Sequence, residues 1–163
     1  MRIGHGWDRH MLITERLLVL GGTVIPHHLG EDGHSDDDVL LHAIMDALLG
    51  AACLDDIGTH FPPGVPEWKN ADSTDLLTRV YDLVQSRGYG IVNIDATVIL
   101  ETPRLGPYIL KIRERIADLL CLAIDQVSVK AKTAEGVPPV GSGEAIEAYA
   151  VVLLEDDDQS IYL

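Results

Sequence analysis

The chain of 163 residues has little cysteine, few basic side chains and no long apolar run. Two cysteines, Cys53 and Cys121, are too few for the disulfide framework of a small secreted domain, and each lies in an apolar, helix-like run. We therefore expect two reduced thiols in the core of a cytoplasmic protein. No run approaches the ~20 apolar residues of a membrane span, and the first residues show neither a signal nor a transit pattern.

Positive charge is scarce, because 12 Lys and Arg stand against 26 Asp and Glu, a formal net charge of −14. Such an acidic surface repels phosphate backbones and anionic membranes, so we expect neither nucleic acid nor a membrane as a partner. A phosphorylated small molecule could still bind if cations offset the repulsion from the carboxylates. The hydrophobic fraction of 47% is that of a globular protein, and the length suits one domain.

The hydrophobic pattern predicts an α+β fold in a single domain over residues 1–155, followed by an acidic tail over 156–163. Strands are predicted at residues 1–10, 17–26, 91–100, 127–133 and 145–154, and helices at about 37–52, 72–87 and 106–122. A proline-rich loop spans 58–70. This order indicates a mixed four-to-five-stranded sheet with helices on one face. Because the last strand is apolar on both faces, we expect sheets packed together in an oligomer.

Three candidate metal ligands lie on a predicted strand and a predicted helix. Asp8 and His10 are two residues apart, so a strand points both side chains to one face. His42 lies within the first helix, with Asp38 and Asp46 at helical spacing, where they could orient its ring. Two histidines and one carboxylate leave a tetrahedral position open, as in catalytic zinc sites. The same residues are also expected without a metal site, because an Asp and a His two residues apart often occur by chance and a single histidine in a helix is usually just hydrogen-bonded.

Two further clusters suit phosphate groups. His34 and Ser35 directly precede the first helix, whose free N–H groups and dipole favour an anion, although Ser35 could simply cap the helix. The second cluster, at the end of a strand that enters a glycine-rich loop, consists of Lys130, Lys132, Thr133 and Glu135. Lysine and threonine can hold phosphate oxygens, and a glutamate can hold a hard divalent cation. A plain charged strand edge explains the same residues.

A series of segments along the chain resembles the 2-C-methyl-D-erythritol 2,4-cyclodiphosphate synthase family, from residue 1 to about residue 154: MRIGHGWDRH, HSDDDVLLHAIMDALLGA, DDIGTHFP, ADS, ETPRL and KAKTAE. The resemblance implies a lyase of the non-mevalonate isoprenoid pathway. It would convert 4-diphosphocytidyl-2-C-methyl-D-erythritol 2-phosphate into the cyclic diphosphate and release CMP. It would act as a homotrimer with active sites between adjacent subunits.

The resemblance also implies a role for each candidate residue. Zinc would bind Asp8, His10 and His42, and magnesium or manganese would bind Glu135. His34, Thr133 and Glu135 would be catalytic. Contacts with the cytidine diphosphate substrate would come from Asp8, His10, His34, Ser35, Asp56, Gly58, Leu100, Arg104, Leu105, Ala131, Lys132 and Thr133. In this set Asp56 and Gly58 would meet the methylerythritol, and residues 100–105 of the neighbouring subunit would line the cytidine pocket with residues 131–133.

Several positions depart from the family's pattern. Asp37 stands where a small residue is usual, Pro63 where an acidic residue is usual, and Lys132 where threonine is frequent. The family commonly has an aromatic at Pro139 and an arginine at Ser142, beside a cavity along the trimer axis that can hold isoprenoid diphosphates. Because Ser142 supplies no charge to grip a diphosphate, binding in that cavity is not expected here.

Two other functions remain open from the residues themselves. A zinc-dependent hydrolase of a phosphorylated small molecule would use the same three-ligand site and would need a general base, for which Asp36, Asp38 and Asp46 are candidates. A non-catalytic protein could use the same clusters to bind metal ions or to hold an assembly together.

Overall fold

The computed structural model describes residues 1–32, 37–68 and 71–156. Within these ranges the elements in chain order are β1 (Arg2–Thr14), β2 (Leu18–Leu20), β3 (Thr23–Ile25), β4 (Leu29–Asp32), α1 (Val39–Ala52), α2 (Ile57–His60), α3 (Ser73–Ser86), β5 (Tyr89–Ile99), α4 (Ile109–Leu119), β6 (Val127–Lys132) and β7 (Ala145–Asp156). Short 3-10 turns occupy Pro66–Trp68, Gly106–Tyr108 and Ile124–Gln126. No helix in the described ranges is long and apolar enough to cross a membrane.

Five strands form one mixed sheet in the order β4-β1-β7-β5-β6, and β2 pairs with β3 in a separate hairpin. The β5–β6 pair is parallel, and the other neighbours in the sheet are antiparallel. The parallel pair needs a crossover, which α4 supplies between the two strands. The fold is therefore the expected α+β class with a five-stranded mixed sheet.

Helix α1 is the centre of the core and packs across β1 and β7. It begins after Asp38, whose carboxylate accepts the N–H of Leu41 at 3.1 Å and so caps the first turn. Its apolar run is buried almost all round. On β1, a Cβ at Gly6 would lie 1.9 Å from the carbonyl oxygen of Ala43, so only glycine admits the helix this closely. This close approach places His42, the residue before Ala43, over the middle of β1.

The two faces of the sheet differ in exposure. On β1 and β7 the even-numbered residues face the helices, and the odd-numbered residues face outward, as the two-residue period of a strand requires. The outward face carries large apolar side chains that are exposed in the single chain: Ile3, Trp7, Met11, Tyr149 and Val151. The helices thus lie on one face, as predicted, and the other face presents an apolar surface.

The predicted helices and the three long strands after residue 88 are found at nearly the predicted positions. The prediction of one strand over residues 17–26 is wrong, because Gly21 and Gly22, with φ of 58° and 67°, form a turn between β2 and β3. The first strand extends to Thr14 rather than ending at residue 10. Strand β4 was not predicted, because it has only four residues and little apolar character.

The prediction that both cysteines lie in the core is also wrong. Cys53 and Cys121 are free thiols, but both are exposed. Each follows a helix in the left-handed conformation, with φ of 56° and 53°. This conformation ends the apolar run and turns the chain outward at that residue. Residues 157–163 of the predicted tail lie outside the described part of the chain, and Asp156 ends β7.

Candidate metal centre and substrate cavity

Asp8, His10 and His42 converge at one point between the sheet and α1. Asp8 Oδ2 lies 3.0 Å from His10 Nε2 and 3.0 Å from His42 Nδ1. One donor atom from each of the three residues lies within 4.8 Å of the other two, and the imidazole rings meet edge to face with centroids 5.1 Å apart. All three side chains are partly buried. The strand and the helix thus bring the predicted ligands together.

The chemistry of this donor set fits a divalent transition metal. Two imidazole nitrogens and one carboxylate oxygen are ligands that zinc accepts, and three protein ligands leave one position free. Tetrahedral bonds of about 2.1 Å place neighbouring donors about 3.4 Å apart. The Asp8–His10 and Asp8–His42 separations of 3.0 Å are close to that spacing. The residues present could hold such an ion after small side-chain adjustments.

The second nitrogen of each imidazole is also occupied. His10 Nδ1 lies 2.8 Å from Glu31 Oε2 and 2.9 Å from the carbonyl oxygen of Asp37. His42 Nε2 lies 3.3 Å from Ser73 Oγ, at the start of α3. Hydrogen bonds behind a metal ligand set the ring orientation and the tautomer. Neither Glu31 nor Ser73 was predicted as a partner of these rings, and the only signal in the sequence was that Ser73 belongs to the ADS segment.

Asp38 and Asp46 have other partners than the predicted one. The buried carboxylate of Asp38 accepts the N–H of Gly22 at 2.7 Å in addition to its cap on α1. Asp46 accepts the N–H of Ile57 at 2.9 Å and so anchors the start of α2. Both carboxylates therefore accept backbone N–H groups. The N–H groups of Leu41 and Ile57 lie in the first turns of α1 and α2, where no helical carbonyl can accept them. The hydroxyl beside the outer nitrogen of His42 comes from Ser73 instead.

Electrostatics favour a cation at the triad. Burial would raise the pKa of Asp8, but hydrogen bonds from His10 and His42 outweigh burial and hold that pKa well below its usual range. Burial would lower the pKa of His10, yet its hydrogen bonds to Asp8 and Glu31 raise that pKa to about 10. Burial raises the pKa of Glu31, and its hydrogen bond to His10 opposes part of that rise. A metal at this site would displace the proton on His10 Nε2 and would meet an ionised Asp8.

A cavity of about 780 Å³ opens beside the triad. Its polar wall carries Asp8, His10 and His42, and its other wall comes largely from residues 57–68. That second wall is mainly apolar, and its rings of Phe61 and Trp68 pack edge to face at 5.1 Å. The volume lies within the ~300–1,000 Å³ common for small-molecule pockets. The cavity can therefore hold a ligand with one anionic and one apolar part.

Of the residues predicted to contact the methylerythritol, one lines this cavity and the other caps a helix. Gly58 lines the cavity, and Pro63, one of the departures from the family pattern, lines it as well. Asp56 caps α2 and accepts the N–H and the hydroxyl of Thr59 at 2.8 and 2.9 Å, and these bonds lower its pKa. His34, Ser35 and Asp36 lie outside the described residues.

The second predicted cluster lies elsewhere on the same chain. Across the sheet, Asp8 pairs with Ala148, Ala148 with Val98, and Val98 with Ala131. Three strand spacings of ~4.8 Å therefore put residue 131 about 14 Å from Asp8 along the sheet. None of the cluster's described residues lines the cavity of the triad. Within one chain, the second cluster and the Asp8–His10–His42 triad are therefore separate sites.

Within this second cluster, exposed and buried residues are mixed. Thr133 donates its hydroxyl to Glu135 Oε1 at 2.8 Å, and both side chains are exposed, as are those of Lys132 and Arg104. Leu100 and Leu105 are buried side chains of the core. Any contact of these two leucines with a ligand would therefore be made through the backbone.

Comparison with known proteins gives consistent matches over the whole domain. The YgbB family model matches residues 1–155. The 2-C-methyl-D-erythritol 2,4-cyclodiphosphate synthase of Moorella thermoacetica is 58% identical over 156 residues, which are 96% of each chain. A solved structure of a synthase with that name, in a CDP-bound form, aligns with a TM-score of 0.88 at 38% identity, covering 94% of this chain and all of that one. The bifunctional IspDF of Campylobacter jejuni aligns with a TM-score of 0.92 at 36% identity, and the match spans 97% of this chain and 43% of that longer one.

Proposed function

The chain belongs to the YgbB family, and from this premise we infer that it is a lyase that forms 2-C-methyl-D-erythritol 2,4-cyclodiphosphate. Its substrate is 4-diphosphocytidyl-2-C-methyl-D-erythritol 2-phosphate, and CMP is the second product. The reaction is a step of non-mevalonate isoprenoid biosynthesis. The observation that carries this proposal is the convergence of Asp8, His10 and His42 on one wall of a cavity of about 780 Å³.

The reaction needs no nucleophile from the protein. An oxygen of the substrate's 2-phosphate forms a bond to the β-phosphorus, and the bond from that phosphorus to the bridging oxygen breaks. CMP leaves with the bridging oxygen, so no water is consumed. Because nucleophile and electrophile belong to one molecule, the protein acts by folding the substrate back on itself and by offsetting charge. A cavity with one polar and one apolar wall suits that task.

Two metal sites are part of the proposal. Asp8, His10 and His42 would hold zinc, and Glu135 would hold magnesium or manganese beside the phosphates of the substrate. Bound divalent cations offset the charge of the phosphate oxygens and of the leaving CMP. His42 keeps its inner nitrogen aimed at the shared point, because Ser73 occupies the outer one. Thr133 sits against Glu135 and aligns its carboxylate.

The cavity walls suggest where the substrate lies. The methylerythritol part packs on the apolar wall near Gly58, with Asp56 at the start of α2, two residues away in the chain. His34 and Ser35, which precede the described residue Asp37, contact the phosphates, and His34 is the third catalytic residue with Thr133 and Glu135. Water is kept from the β-phosphorus by the same apolar wall, which favours ring closure over hydrolysis.

A homotrimer would complete the site. The outward sheet face exposes Trp7 and Tyr149, and the cluster around residues 131–135 lies about three strands from the triad. Packing three such faces together covers the apolar surface. It also brings residues 100–105 of one subunit, with Arg104 and the adjacent Ala131–Thr133, to the triad of the next subunit, where together they form the cytidine pocket. Each active site then lies at a subunit interface, and light scattering of the purified chain should give three times the 17.8 kDa chain mass.

The protein is also proposed to work in the cytoplasm as a single domain over residues 1–155. Free thiols at Cys53 and Cys121 suit a reducing compartment. The alternative, a zinc-dependent hydrolase, rests on Asp46, because burial raises the pKa of this carboxyl near the triad and suits it to a general base. Its hydrogen bond to the Ile57 N–H engages one of its oxygens already.

Turnover of the purified chain tests the proposal. The substrate is incubated with protein that was stripped of metal and then given zinc and magnesium, and CMP and the cyclic product are quantified by chromatography. We expect turnover only with metal, and we expect His42→Ala to abolish it. His28→Ala serves as the matched control, because His28 is exposed and does not line the cavity. Near-normal activity of the metal-free protein, or of His42→Ala, would contradict the proposal.

A further inference from the structure

Glu31 is a buried carboxylate that the proposed reaction does not use. It lies on β4 with 2% of its surface exposed. Burying an acidic side chain is unfavourable unless a partner compensates it, so its position calls for a specific reason. The nearest titratable partner is His10, whose Nδ1 lies 2.8 Å from Glu31 Oε2.

Support of the backbone explains only part of this arrangement. Val39 is the first residue of α1, and its N–H donates to Glu31 Oε2 at 2.9 Å. An amide oxygen would serve that N–H equally well. The other oxygen, Oε1, is buried and has no hydrogen-bond partner among the described residues. The negative charge is therefore not explained by the cap on α1.

Holding the ring of His10 does not require a carboxylate either. The carbonyl oxygen of Asp37 lies 2.9 Å from the same Nδ1 and could accept its proton alone. What Glu31 adds is charge behind a metal ligand. A carboxylate that accepts a proton from a ligating imidazole makes that imidazole a stronger donor to the metal.

We propose that Glu31 is a positioning residue of the metal centre, which accepts the Nδ1–H of His10, aims Nε2 at the point shared with Asp8 and His42, and strengthens the bond to a divalent ion. Two carboxylates, one at the metal and one behind His10, then match the two charges of such an ion. This inference rests on the proposed metal site and not on turnover. Loss of an outer partner of this kind weakens metal binding by roughly 10–100-fold.

Zinc affinity of the full-length chain tests the role directly. Metal-free parent, Glu31→Gln and Glu31→Leu proteins are titrated with zinc against a chromophoric chelator, and the visible spectrum of each cobalt-loaded protein is recorded. We expect affinity to fall about 10-fold in Glu31→Gln and up to about 100-fold in Glu31→Leu, with an altered cobalt spectrum. Glu147→Gln is the matched control, because its carboxylate pairs with Arg9 on the outward face of the sheet.

Melting of the metal-free proteins separates a structural role from a positioning role. Loss of the Val39 cap alone would lower the melting temperature of Glu31→Leu and leave zinc affinity unchanged. A folded Glu31→Leu that binds zinc within twofold of the parent would overturn the inference, since the Asp37 carbonyl would then suffice. If Glu31→Leu does not fold, the test rests on Glu31→Gln. A Glu31→Gln protein with the zinc affinity and the cobalt spectrum of the parent would overturn the inference. Failure of the parent itself to bind zinc would overturn the metal centre and this inference with it, whereas zinc binding without turnover would refute the proposed reaction alone.

Discussion

A methyl group added at Gly6 should disturb the fold and the metal centre together. Gly6 faces α1 from β1, two residues before Asp8, and a Cβ there would lie 1.9 Å from the carbonyl oxygen of Ala43. Real Cβ atoms essentially never come within 3.0 Å of a heavy atom outside their own residue and its chain neighbours, and the obstacle here is the backbone of the helix. The helix must therefore retreat from the strand by about 1 Å in Gly6→Ala.

The retreat has two calculable effects. Overpacking a well-packed core costs about 1–3 kcal/mol, which lowers the melting temperature of a domain of this size by roughly 2–12 °C. The same movement separates His42 on α1 from Asp8 and His10 on β1. Because zinc–ligand distances vary by only about 0.2 Å, a shift of about 1 Å should weaken zinc binding by more than tenfold.

Calorimetry and zinc titration of Gly6→Ala measure both effects. Gly50→Ala is the control, because Gly50 lies in the same helix and a Cβ there meets nothing within 4 Å. We expect this control to match the parent or to gain up to about 1 kcal/mol, since alanine favours the helix. A Gly6→Ala protein with the parent's melting temperature and zinc affinity would refute this reasoning about close packing.

Three further outcomes are expected. Zinc affinity should rise by about tenfold per pH unit as the pH increases from 6.5 towards 10. The reason is that zinc must displace the proton of His10, whose pKa is raised to about 10, and zinc titrations at several pH values check this. Between pH 6.5 and 10 the metal-free protein should also lose stability. Protonated His10, whose pKa is raised from 6.5 to about 10, stabilises the fold fully below pH 6.5 and no longer does so above pH 10, and urea unfolding measures the loss. A flat profile in either experiment would refute the pairing with Asp8 and Glu31. Tyr149→Glu should break the proposed trimer while Arg79→Glu, on α3, should not, and equal masses in light scattering would count against the outward face as the interface.

The sequence predicted α1 and the triad because both depend on local spacing. An apolar run behind Asp38 predicts a buried helix, and a spacing of two residues puts Asp8 and His10 on one face of a strand. That His42 meets them depends on glycine on β1, where the helix approaches most closely. The MRIGHGWDRH segment contains that glycine, but its packing partner lies on another element.

The missed features depend on contacts between distant parts of the chain. Glu31 lies 21 residues from His10, and it reaches the ring only through the pairing of β4 with β1. β4 lacks the alternation that would identify a strand. The exposure of Cys53 follows from one backbone angle at the end of α1, which an apolar run does not reveal.

Labelled water gives the most direct test of ring closure at the triad. The metal-loaded chain converts its substrate in water enriched in oxygen-18, and the masses of CMP and of the phosphorylated product are measured. Intramolecular attack by the 2-phosphate predicts a cyclic diphosphate and CMP that both lack the label. Label in either product, with an open-chain phosphate in place of the ring, would show that water attacks and that the site beside Asp8, His10 and His42 belongs to a hydrolase.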